Sequence, residues 1–208
     1  MTSPDARELI LLAGERLIAD SGCAVSLRDI AVAANQRNNS AVHYHFGSRD
    51  GLIAAIVERR QQALDADRMA LLSEHDDATT PDTPAPLLAI LVRPMFDTPY
   101  AEGSTHYARF LEQVRTHPVI SAIDLHGERW PATKMTVQRL HRSLTDFPAA
   151  LRAQRLRAMS TVMFALLADY ERRRFSGASH GLPDVEDDIL AMLTGLLTAP
   201  DPAAARTH

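Results

Sequence analysis

The sequence predicts an all-α chain, with an N-terminal three-helix, helix-turn-helix domain and a larger C-terminal helical domain, about nine helices in all. Three observations lead there. Apolar residues recur every three or four positions along most of the chain, and few stretches alternate apolar with polar as a half-buried strand would. The 12 prolines and 9 glycines fall mostly between those periodic segments, where turns belong. Residues 26–52, SLRDIAVAANQRNNSAVHYHFGSRDGL, read as two short helices joined by a tight polar turn and followed at once by a third.

The first helix is expected from Asp5 to Ser21, with Leu9, Ile10, Ala13 and Leu17 as its inner stripe and Gly22 as its C-terminal cap. Ser26 caps the next helix, with Asp29 three residues on, the spacing of a capping box. Leu27, Ile30, Ala31 and Ala34 form its apolar side. Asn35-Gln36-Arg37 breaks the pattern, because asparagine tolerates the left-handed conformation that ends a helix. Asn38 then caps a second short helix whose first turn carries Asn39 and Ser40, while Val42 and Phe46, four apart, face the first. Gly47-Ser48 is the next turn. Ser48 caps a long helix expected from Arg49 to about Leu72, with Leu52, Ile53, Ile56 and Val57 on its early apolar face.

Beyond it, residues 73–86 read as an acidic, proline-bearing loop, and 87–96 as a short apolar helix interrupted by Pro94. Helices are expected over 104–116, 119–128 and 131–144, with Pro118 and Pro131 marking starts, since proline suits the first helical turn. Residues 148–175 are apolar nearly all round, which requires burial on two sides. Residues 184–198 present one broad apolar face behind an acidic first turn that complements the helix dipole. Two such helices suit a four-helix bundle formed with a second copy. The expected domains are 1–48 and 49–199, with 200–208 a disordered tail.

Function follows from what the second short helix leaves outward. Asn39, Ser40, His43 and Tyr44 carry groups that hydrogen-bond to bases or phosphates. On these motifs, residues 7–60 resemble the DNA-binding domain of TetR-family transcriptional regulators. The matching elements are L-R-D-I-A-x-x-A at 27–34, Y-H-F at 44–46 and G-S-R-D-G-L at 47–52. The resemblance implies that Arg49, standing where the family usually carries lysine, contacts phosphate. The turn A-N-Q-R-N replaces the family's usual A-G-V-S and is one residue longer. The family's phosphate-contacting tyrosine aligns with His43, while Tyr44 lies one position later, so both are retained for that role.

The resemblance further implies a homodimer joined through the last two helices (148–175 and 184–198) and a small-molecule effector among the middle ones. Candidate lining residues are Met95, Phe96, Tyr100, His106, Tyr107, Phe110, Trp130 and Met163. For DNA, Asn38, Asn39, Ser40 and His43 are expected on bases, and Arg28, Arg37, Tyr44 and Arg49 on phosphates. Arg7, near the start of the first helix, is a further backbone candidate. The expected activity is a ligand-responsive repressor on a palindromic operator. An all-helical adaptor that has lost DNA binding is the alternative.

Charge gives this reading only local support. Net charge is −4, and residues 1–62 hold seven arginines against seven acids, short of a strongly basic footprint. From Ser21 to Arg49, however, Arg28, Arg37 and Arg49 face Asp29 alone. The single cysteine, Cys23, rules out an internal disulfide and a cysteine-based zinc site, and reads as a small core residue. No H-E-x-x-H, glycine-rich phosphate loop or G-x-S-x-G occurs, so no enzyme, metal or cofactor is expected. The longest largely apolar run, Ala158 to Ala168, falls well short of the ~20 residues that span a bilayer, and a cytoplasmic protein is expected.

Overall fold

A computed structural model describes residues 5–36, 38, 40–96, 106–122, 128–176 and 185–201, and within them the chain is all-helical. Ten helices follow in order: α1 (Ala6–Ser21), α2 (Leu27–Ala33), α3 (Ala41–Phe46), α4 (Arg49–Asp77), α5 (Pro84–Phe96), α6 (Tyr107–Val114), α7 (Pro118–Ala122), α8 (Pro131–Ser143), α9 (Ala149–Phe175) and α10 (Val185–Thr198). Packing of α1, α2, α3 and the start of α4 on one another forms the head. α4 then runs on against α5, α7 and α8, α6 lies against both α1 and α9, and α10 packs on α5 and α9.

Most punctuation falls where the residues place it. Gly22 closes α1 at φ 78° with its amide on the Ile18 carbonyl, and Asn35 ends α2 at φ 56°. The inner face of α1 is wider than its expected stripe. Ile10 and Ala13 are buried, but Leu9 and Leu17 are only half-buried, and Leu11, Gly14, Glu15, Ile18 and Ala19 are buried instead. The reason is that α1 packs on α4 and α6 together, not only on the short helices of the head.

Three other expectations need correction. α4 runs five residues past Leu72, because Ser73–Asp77 contains no glycine or proline; the helix stops where Thr79 turns to φ 52°. The loop expected over 73–86 shrinks accordingly, and α5 begins at Pro84, where a missing amide costs nothing in a first turn. Nor does Pro94 interrupt α5, which runs unbroken to the expected end at Phe96. Near that proline the Leu91 carbonyl accepts two bonds from the buried Arg68 guanidinium, at 3.0 and 2.9 Å.

Two helices receive their N-terminal caps from other helices. Asp65 of α4 accepts the amides of Ala132 and Thr133 at 3.2 and 2.7 Å, at the start of α8. Glu171 of α9 accepts those of Ala108 and Arg109 at 2.9 and 3.0 Å, at the start of α6. Each carboxylate satisfies two amides that have no intrahelical partner, at the positive end of the dipole. Around them lies a buried polar network: Arg68 donates to Gln61 Oε1 and Thr133 Oγ1, and Gln61 to the Tyr107 hydroxyl. Burial lowers Arg68 to about 10, partly offset by Tyr107 and Asp65. It pushes the Tyr107 hydroxyl well up, so Tyr107 is held neutral.

α1 and α6 are joined at Arg109, which donates to Asp20 of α1 at 2.7 Å and touches His106 Nδ1. Burial, then the neighbouring Arg109, lowers the His106 pKa from its ordinary 6.5, while Asp20 and Glu15 act the other way. The unfolded imidazole therefore binds protons at a pH where the folded one does not, and stability rises with pH across that window. We expect the contribution to be complete above about pH 6.5 and to erode as pH falls below it. Melting curves of wild type and His106→Gln compared between pH 8 and 5 check this. Wild type should lose stability relative to His106→Gln as the pH falls, and an unchanged difference would remove the imidazole from the account.

Candidate nucleic-acid interface

The interface is built on short-range hydrogen bonds over an apolar base. Ser26 Oγ accepts the Asp29 amide at 3.0 Å and donates to the Asp29 carboxylate at 2.6 Å, so one hydroxyl both caps α2 and holds the acidic residue. Ile30, Ala31 and Ala34 of this segment are buried, and so is Val42 of α3. Across the turn, the Gln36 amide returns to the Ala31 carbonyl at 2.9 Å. Asn38 acts through an Asx turn: its Oδ1 accepts the Ser40 amide at 2.9 Å, and its carbonyl the Ala41 amide at 3.0 Å. That turn uses up residues expected in the helix. α3 therefore starts at Ala41, later than the expected first turn at Asn39 and Ser40, and Ser40 makes no side-chain cap.

At the far end the chain turns at Gly47, φ 72°, and Ser48 Oγ caps α4 by accepting the Gly51 amide at 3.1 Å. Gly51, within the G-S-R-D-G-L motif, has a steric reason to be glycine. A Cβ there would lie 2.0 Å from the Phe46 carbonyl oxygen, so only glycine lets the end of α3 sit against the first turn of α4. Arg7 of α1 lies over the Phe46 ring, 5.3 Å from its centroid, so its charge stands at the C-terminal end of α3.

The DNA candidates divide by exposure. Arg28, Asn38, Ser40, His43 and Tyr44 all lie open, Tyr44 at 86%. Arg37 and Asn39 lie outside the described residues. Arg49 is half-buried and donates to the Cys23 carbonyl at 2.8 Å, which ties the start of α4 to the α1–α2 connection. His43 Nδ1 lies 3.0 Å from the Gly47 carbonyl. Cys23 is half-buried, and burial raises its thiol against the pull of Arg49, so it stays a protonated packing residue.

Most of the effector candidates lie inside the fold. Met95, Phe96, His106, Tyr107, Phe110 and Trp130 are buried, Met163 is half-buried, and Tyr100 lies outside the described residues. Phe96 meets Tyr170 edge-on at 5.0 Å, whereas Tyr107 stacks on Phe110 at 6.1 Å. Two surface grooves are formed by described residues. One runs between α9 and α10, lined by Leu166, Tyr170, Val185, Ile189 and Met192; another, at the ends of α4 and α8, is lined by Asp76, Asp82, Arg139 and Arg142. Among the described residues no three His, Cys, Asp or Glu side chains gather as metal ligands, and no helix is long and apolar enough to cross a membrane.

Residues 10–56, from the first fully buried residue of α1 to the second turn of α4, match the family model of bacterial regulatory proteins, tetR family. This segment is a TetR-family helix-turn-helix. It is accordingly a DNA-binding domain, of the kind that transcription regulators of this family carry. The TetR-family match ends eight residues into α4. Among solved structures, the chain is similar to a TetR transcriptional regulator from Rhodococcus sp. RHA1, at 17% identity and a TM-score of 0.47, over 94% of this chain and 98% of that one. No curated protein matches the sequence.

Proposed function

We propose that the chain is a cytoplasmic, ligand-responsive repressor that binds a palindromic operator as a homodimer. The observation that carries this reading is the outward polar side of α3. Asn38, Ser40, His43 and Tyr44 stand exposed on a segment whose opposite side, Val42, is buried against the head. Two such helices enter successive major grooves about one helical turn, or a multiple of it, apart. Arg28 holds phosphate from α2. Arg49 holds the loop at Cys23 and presents its remaining donors to the backbone, while Arg37 is assigned to phosphate and Asn39 to a base.

The head comprises residues 1–48, and residues 49–199 bind the effector and the second copy. Dimerisation through 148–175 and 184–198 is supported by the apolar groove between α9 and α10 and by the exposed Met192. An effector lodged near Met95, Phe96, Tyr100, His106, Tyr107, Phe110, Trp130 and Met163 acts on α4 and changes the separation of the heads. It does so only by favouring one conformer. The contact of α6 with both α1 and α9 supports a second route from the dimer helices to the head.

A gel shift with DNA flanking the chain's own gene tests the reading, and a retarded band that disappears in excess specific competitor is expected. Absence of any shift, with normal folding, would favour the adaptor. Arg28→Ala should weaken binding to all sequences alike and reduce the salt slope by about one. Thermal stabilisation across a panel of small hydrophobic and aromatic metabolites checks ligand response, since a ligand bound only to the folded state raises the melting point.

A further inference from the structure

We infer that His43 reads the exocyclic amine of a base, and that Tyr44, not His43, takes the phosphate; this rests on α3 entering the major groove as proposed above. His43 Nδ1 lies 3.0 Å from the Gly47 carbonyl oxygen. A carbonyl only accepts, so this bond assigns the ring hydrogen to Nδ1. In the neutral ring Nε2 is then left with a lone pair and no hydrogen, on an exposed side chain at the protein surface.

Phosphate oxygens also only accept. A neutral His43 in this tautomer has nothing to offer them. Tyr44 does: its hydroxyl donates, its ring is 86% exposed, and His45 holds that ring edge-on at 5.0 Å. The two residues are neighbours on a helix and so point about 100° apart, which allows one to face the groove and the other its wall.

The consequence for sequence preference is specific. In the major groove adenine N6 and cytosine N4 are donors, whereas guanine N7 and O6 and thymine O4 are acceptors. A lone pair at Nε2 therefore selects adenine or cytosine and rejects guanine and thymine at the base it faces.

The full-length chain tests this in two ways. Nitrogen–proton NMR correlation at pH 8 should give the Nδ1–H pattern for His43, and an Nε2–H pattern would overturn the inference. Selection from a randomised duplex pool should return adenine or cytosine at a position that His43→Ala relaxes. Replacing that amine by hydrogen (purine for adenine, 2-pyrimidinone for cytosine) should weaken wild type about three- to tenfold and leave His43→Ala unaffected.

His43→Ala should leave the salt slope unchanged. A slope lower by about one would mean an imidazolium on phosphate, and would overturn the inference while sparing the operator reading. Tyr44→Phe should weaken all duplexes by a similar factor, and a changed base preference in that variant counts against the assignment. A folded chain that selects no duplex at all removes the operator reading itself, and this inference with it.

Discussion

Replacing Glu15 by alanine lowers the unfolding free energy by roughly 3–5 kcal/mol, the largest effect expected from one side chain in the head. Glu15 of α1 accepts Arg60 Nε at 2.7 Å and Arg60 Nη2 at 3.0 Å, with 2% and 7% of the two side chains exposed. The Arg60 guanidinium also lies 6.0 Å from the centroid of the Tyr107 ring. One ion pair thus joins α1, α4 and α6. Its net worth against an apolar pair is small, because desolvation offsets most of the attraction, but removing one partner leaves the other charge buried. The double variant Glu15→Leu with Arg60→Met should therefore recover most of the loss. Urea unfolding of the single and double variants measures both quantities. A single variant within about 1 kcal/mol of wild type would show that water reaches Arg60 when its partner is removed.

Gly51→Ala should abolish tight DNA binding, with a loss of stability of about 1–3 kcal/mol. In an ordinary helix the same change is favourable by about 0.5–1 kcal/mol, because alanine is the better helix former. Here the sign reverses. The atom that a Cβ meets at 2.0 Å is the Phe46 backbone oxygen, which cannot rotate away as a side chain could. α3 and α4 must separate by an ångström or more, and the exposed face of α3 turns with them. Anisotropy titrations against duplexes selected by wild type, paired with melting curves, separate the two effects. Wild-type affinity in a Gly51→Ala protein would mean that the junction of α3 and α4 does not position the reading surface.

The parts of the head set by local chemistry were legible in the sequence. Ser26 and Ser48 as caps, Gly22 and Asn35 as terminators, and Val42 turned inward all depend on neighbours a few residues away. What periodicity missed depends on distant partners. Glu15 sits four residues after Leu11 and three before Ile18, both buried, so its place on the inner face was readable; its partner, 45 residues on, was not. Asp65 and Glu171 resembled ordinary acids on long helices, although each closes the start of another helix. The start of α3 was missed for a local reason, because an Asx turn and an N-cap look alike in sequence. The aromatic and sulfur-bearing residues offered as an effector lining share only their size, and size at helical spacing does not distinguish a cavity wall from a filled interior.

The borrowed caps also shape how the molecule comes apart. Neither α6 nor α8 has a side-chain N-cap of its own. Loosening α9 withdraws the carboxylate from Ala108 and Arg109, and loosening α4 does the same for Ala132 and Thr133. Their amide protons should therefore exchange with solvent at the pace of the long helices rather than at that of short ones. Melting of the second half is then expected to show no stage at which α6 or α8 outlasts the long helix that caps it.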